Sequence, residues 1–134
     1  MSVLLKRVRD LSKIVETGDF DNLQSWGYFL KLKLYEEEVM TNGIKYCKIF
    51  QSKDRIRFIT TIPPLCEFGE FSHWHDCDEL VEILGGQMAN KLTRKHCGVG
   101  CKIIFPRYKK HNLFNPSKTE YCTLVVDFFK NHSI

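Results

Sequence analysis

The chain has 134 residues, 43% of them hydrophobic and 27% charged, with 20 basic against 16 acidic side chains for a net charge of +4. That length suits one compact domain and is too short for two of ordinary size, and the composition excludes disordered and fibrous classes. The charge is modest and spread along the chain, which gives nucleic-acid binding little support, and no apolar run is long enough to span a membrane.

Val3, Leu4, Leu5, Val8, Leu11, Ile14 and Val15 recur at helical spacing, with Lys6, Arg9, Asp10 and Lys13 between them and Gly18 placed to stop the pattern. This predicts a short amphipathic helix within residues 1–20, packed on the domain edge or a partner subunit. Lys6, Arg7 and Arg9 follow the first apolar patch too closely for a secretory signal. Cytoplasmic residence is therefore expected, with the six cysteines as reduced thiols.

From about Tyr28 the period changes to two. Leu30, Leu32 and Leu34 alternate with Lys31 and Lys33, and Ile56 and Phe58 alternate with Arg55 and Arg57. Turn signals follow at short intervals: Asn42-Gly43, Ser52 to Asp54, Pro63-Pro64, Gly85-Gly86, Gly98 to Gly100, and Asn115-Pro116-Ser117. Between them lie the strand-like runs ELVEIL, CKIIF and YCTLVVDFF. Short strands at regular spacing, without a second convincing helix, predict an all-β antiparallel sandwich or barrel over residues 27–130. The whole chain, 1–134, reads as a single domain.

The chemistry gathers in SHWHDCDEL, residues 72 to 80. Side chains two apart on a strand share a face, so His73 and His75 form a bidentate metal clip while Trp74 faces the other layer. A short turn through Asp76 to Asp78 brings Glu79 to the same centre. Imidazoles with one carboxylate suit iron, manganese, nickel, copper or zinc. Further on, Cys101 to Phe105 reads as a buried strand, Pro106 ends it, and His111 stands where the next begins. If the two segments pair across one barrel, His111 becomes the fourth ligand, and a four-donor set leaves positions open for water or substrate.

These stretches resemble the two motifs of the cupin superfamily of small β-barrels. The first motif matches at His73-x-His75, three residues, Glu79, six residues, Gly86; the second at Gly100, five residues, Pro106, then His111 and Asn115. Glu67 and Tyr108 stand where the family has turn glycines. The resemblance implies a double-stranded β-helix, a jelly-roll-like barrel, holding one divalent transition metal (Fe, Mn, Ni or Zn) on His73, His75, Glu79 and His111. The expected function is that of a small metalloenzyme of oxygenase or isomerase type, with Glu79 as its acid or base. The alternative is a non-catalytic small-molecule-binding or sensory cupin.

Other residues have plainer readings. Arg107, Lys109 and Lys110 crowd the turn before His111; they form a solvated loop or, at a barrel mouth, attract a carboxylate or phosphate substrate. Asn115 reads as a turn or strand-end residue. Cys77 shares the parity of residues 73, 75 and 79, but the turn that brings Glu79 inward breaks it. His96, Cys97 and Cys101 lack a fourth ligand for zinc and read as ordinary residues. Cys47, Cys66 and Cys122 read as core, as do most of Tyr28, Phe29, Phe105, Phe114 and Phe128. The first helix and the last strand, TLVVDFF, offer apolar surface, so a homodimer is expected.

Overall fold

Alternating apolar and polar residues build the long strands of this fold, and turn residues end them. The computed structural model describes residues 25–40, 42–73, 77–91, 93–107 and 111–130, and of residues 25, 68–73 and 111 the backbone alone. The expected helix within residues 1–20 lies outside the described residues. Among those described, helix α1 (Ser25–Lys31) is followed by strands β1 (Glu37–Val39), β2 (Lys45–Gln51), β3 (Arg55–Ile62), β4 (Glu67–His73) and β5 (Asp78–Gly85). Then come β6 (Met88–Asn90), β7 (His96–Cys97), β8 (Lys102–Phe105), β9 (His111–Phe114) and β10 (Cys122–Phe129). Five of the six turn signals fall between strands, and the sixth, Gly85-Gly86, spans the end of β5.

Two antiparallel sheets face each other, one in the order β1-β2-β3-β10-β5-β8 and the other β4-β9-β6-β7. The chain changes sheet between β3 and β4, β4 and β5, β5 and β6, β7 and β8, β8 and β9, and β9 and β10. Such repeated crossing is the jelly-roll arrangement, which buries both inner faces against each other. Ile56, Phe58, Thr60 and Ile62 of β3 and Leu124, Val126 and Phe128 of β10 are buried, as are Val81 and Ile83 of β5. Their burial supplies the main driving force, at about 1.5–3 kcal/mol per large apolar side chain.

Three expectations need correction. Residues 27–31 are helical, not the first strand of the barrel. Trp26, Phe29 and Leu32 are buried while Leu30 and Leu34 are 43% and 44% exposed, so the spacing that meets the core is three, not two. Phe29 stacks on Phe128 at 4.3 Å between centroids and meets Phe58 edge-on at 5.3 Å, fixing α1 against the inner face of the larger sheet. Second, the TLVVDFF strand is central: β10 lies between β3 and β5, and its Leu124, Val126 and Phe128 fill the core instead of an outer surface. Third, β8 is an edge strand, with Phe105 buried but Ile104 52% exposed.

Buried polar groups are built into the core. Lys48, 2% exposed, donates from Nζ to the carbonyls of Phe29 (2.9 Å) and Leu30 (3.4 Å) and to Gln51 Oε1. The ammonium thereby serves the carbonyls that the last turn of α1 leaves without helical partners, while burial lowers its proton affinity. Cys122 is fully buried, and burial pushes its thiol up to about 11.

Candidate metal centre

Glu79 is the second residue of β5 and is 2% exposed. It shares strand parity with Val81 and Ile83, both fully buried, and its ladder partners are Phe128 on one side and Phe105 on the other. A carboxylate is thus carried on the inner face of the larger sheet, beside the aromatic cluster of Phe29, Phe58 and Phe128.

The outer face of the same strands is pinned by ion pairs. Asp127 accepts from Arg57 Nε at 2.7 Å and Nη2 at 3.0 Å, a bidentate pair, and lies 3.4 Å from Arg55 Nε. Asp78 was expected within a turn, but it opens β5 and is buried. Its Oδ1 accepts from the Arg107 backbone N–H at 2.9 Å and from Arg107 Nε at 3.3 Å. Strand alternation decides between the two neighbouring carboxylates: Asp78 faces outward to Arg107 and Glu79 faces in.

On the opposite sheet, β4 ends at His73 and β9 begins at His111, and these two positions are direct partners in the antiparallel ladder. The ladder is irregular between Phe68 and His73, so the register that joins the histidines differs from that at the other end of β4. Their backbones bring together positions 38 residues apart, as the pairing of motifs required. His75, Lys109 and Lys110 lie outside the described residues. Among the described residues, no three His, Cys, Asp or Glu side chains form a metal-sized cluster. Glu79 is the one expected ligand whose side chain is described.

The remaining candidates have defined places. Arg107 Nη2 also donates to the Lys130 carbonyl at 2.8 Å, so its guanidinium is engaged on the outer surface. Cys77 is buried in the core two residues before Glu79. Phe29, Phe105 and Phe128 are core residues, with Tyr28 and Phe114 half-buried. Asn115 is fully buried directly after β9, where its amide ties loops together. The sequence reading missed buried Glu38 and Lys48, because the strands around them, EEV and KYCKIFQ, look like ordinary half-exposed surface.

No protein-family model and no curated protein sequence matches the chain. Solved structures do. The chain is similar to an RmlC-like cupin from Shewanella frigidimarina, at 15% identity over 74% of this chain and 86% of that one, with a TM-score of 0.63. It is similar to KdgF from Halomonas sp. at 9% identity over 76% and 97%, with a TM-score of 0.61. A chain of the Rhodobacter sphaeroides SigE complex with the anti-sigma ChrR is similar at 15% identity over 74% and 51%, with a TM-score of 0.58. Likeness at these identities establishes the fold, and the fold is that of the cupins.

Proposed function

We propose that this cupin-fold barrel is a metal-binding protein, and a small metalloenzyme, with His73, His75, Glu79 and His111 as its metal ligands. The observation that carries the reading is the placement of a buried carboxylate, Glu79, on one inner sheet face while the other sheet pairs position 73 with 111. A buried carboxylate is costly unless charge or hydrogen bonds compensate it, and a cation flanked by neutral imidazoles does so. Iron, manganese, nickel and zinc all fit three nitrogens and one carboxylate. Bound there, such an ion supplies Lewis-acid polarisation of a substrate oxygen, or dioxygen activation if it is iron.

The chain's own groups divide the remaining work. Phe105 and Phe128 beside Glu79 keep bulk water from the carboxylate and suit a small organic molecule. Glu79 holds or moves the proton in the oxygenase- or isomerase-type step. Lys109 and Lys110, in the same turn, give the approach a positive field that favours an anionic substrate, while Arg107 is engaged by Asp78. A second reading is a sensory barrel that binds a small molecule without turnover; a chain of similar fold occurs in a complex of a sigma factor with its anti-sigma.

Elemental analysis of protein purified without chelator or affinity nickel tests the site. About one metal ion per chain is expected in the wild type, with most of it lost in His75→Ala and Glu79→Gln. A wild-type protein that stays metal-free after anaerobic reconstitution would sink the proposal.

We also propose a homodimer, with the contact moved from the last strand to the edge of the larger sheet. Leu84 and Ile104 are 47% and 52% exposed on β5 and β8, and β8 is unpaired on its far side among the described residues. Light scattering on a sizing column is expected to return twice the chain mass, falling to the chain mass in Ile104→Lys. A wild-type monomer at micromolar concentration ends the idea.

A further inference from the structure

Cys97 ends β7 and Cys101 immediately precedes β8, separated by the exposed turn Gly98-Val99-Gly100. The turn is tight: the Cys101 N–H donates to the Gly98 carbonyl at 3.1 Å, and Gly100 has a φ of +87°, a left-handed conformation that glycine adopts without strain. Cys97 sits opposite the fully buried Met88 in the β6–β7 ladder. Cys101 is tied to the equally buried Ile83, which donates to its carbonyl at 3.0 Å. Both thiols are half-buried and pack on the edge of the core, one at each end of this tight turn. His96, the neighbouring strand residue, points to the other face and is exposed, so the pair is a dithiol and not part of a zinc site.

The pair lies where the two sheets end. In the described residues β7 bonds only to β6, and β8 only to β5, so each is the outermost strand of its own sheet. A covalent link here closes the barrel's open side. We propose that Cys97 and Cys101 form a reversible intramolecular disulfide when the protein meets a peroxide, joining the free edges of the two sheets.

The step balances with hydrogen peroxide as oxidant. The neighbouring Cys101, followed by burial, raises the Cys97 thiol to about 11, so Cys97 keeps its proton and the Cys101 sulfur attacks. The S–O bond forms, the O–O bond breaks, and the departing hydroxide takes a proton to become water. The Cys97 sulfur then attacks the Cys101 sulfenic acid. The S–S bond forms, the S–O bond breaks, and the hydroxide leaves with the Cys97 proton as a second water. Each sulfur gives up one electron to the peroxide oxygens. Two equivalents of a small thiol such as glutathione reverse the reaction by exchange.

The test uses the full chain. Lys95 and Lys102 bracket the pair with no lysine or arginine between, so trypsin releases His96–Lys102 as a single peptide carrying both cysteines. After equimolar hydrogen peroxide, alkylation with N-ethylmaleimide and digestion, this peptide is expected unalkylated and two hydrogens lighter, and doubly alkylated if dithiothreitol precedes the alkylation. Cys97→Ser is expected to stop at a dimedone-trapped sulfenic acid on Cys101. The proposal is overturned if the peptide stays doubly alkylated while other cysteines oxidise, if Cys97 or Cys101 links to a third cysteine, or if Cys97→Ser gives no sulfenic acid on Cys101.

Discussion

Gly86→Ala is expected to lower stability by about 4 kcal/mol, enough to remove much of the 5–15 kcal/mol that holds an ordinary domain together. A Cβ built on Gly86 falls 2.5 Å from the Tyr121 carbonyl oxygen and 3.0 Å from the Cys122 Cα. Both contacts are backbone, at the approach to the central strand β10, which cannot retreat without disturbing its ladders with β3 and β5. The residue also has a φ of +77°, which by itself disfavours alanine by about 1–2 kcal/mol. Gly85 is the matched control. Its added Cβ meets only Thr123 Cβ at 4.0 Å, an ordinary contact, so Gly85→Ala is expected to change stability by about 1 kcal/mol or less. Thermal unfolding of the two variants beside wild type decides it: a fall of about 12 °C or more for Gly86→Ala and a small one for Gly85→Ala. Equal falls would mean that the close approach is relieved by backbone movement.

That glycine was legible as the end of the first motif, with six residues between it and Glu79. The motif carried what composition cannot, because it relates positions that meet only after the strands have paired. Glu79 in a strand-like run and His111 at the start of a strand were readable from the local residues; the motif joined the two segments, and the ladder pairs them at 73 and 111. Alternation was equally readable in β3, where every second residue meets the core. It misled at residues 28–34, where Leu30, Leu32 and Leu34 imitate a strand while the buried contacts of Trp26, Phe29 and Leu32 make a helix. Strands β6 and β7, of three and two residues, are too short to show any period.

Around the site the illegible parts are those decided by distant partners. Three acidic residues at 76, 78 and 79 do not reveal which one faces inward. Asp78 is turned out by Arg107, 29 positions along the chain, and the strand then carries Glu79 to the interior. A cationic loop residue reads as free to meet an anion until its carboxylate partner is seen. Lys48 gave no signal at all, since its partners are backbone carbonyls of a helix that alternation had concealed.

Asn115→Asp is expected to cost about 4 kcal/mol at pH 7, and to do so in a pH-dependent way that identifies the cause. The Asn115 Nδ2 group donates to the carbonyls of Ile62 (3.1 Å), Pro63 (3.2 Å) and Glu120 (2.8 Å), and its Oδ1 accepts from the Ser117 N–H at 3.0 Å. One fully buried amide therefore ties the end of β3 to the loop that leads into β10. Three carbonyl acceptors on one side and a donor on the other fix which end is nitrogen. Aspartate is nearly the same size, but as an anion it turns an oxygen towards those three carbonyls and has no proton to offer them. The folded state therefore holds the carboxyl protonated above the unfolded value of about 3.9. Below that value both states are protonated and the charge penalty vanishes; it grows as pH rises from the unfolded towards the folded pKa. Urea unfolding at pH 4 and pH 7, each against wild type, is expected to show the larger loss at pH 7. Equal losses at both would assign the effect to lost packing and not to the buried charge.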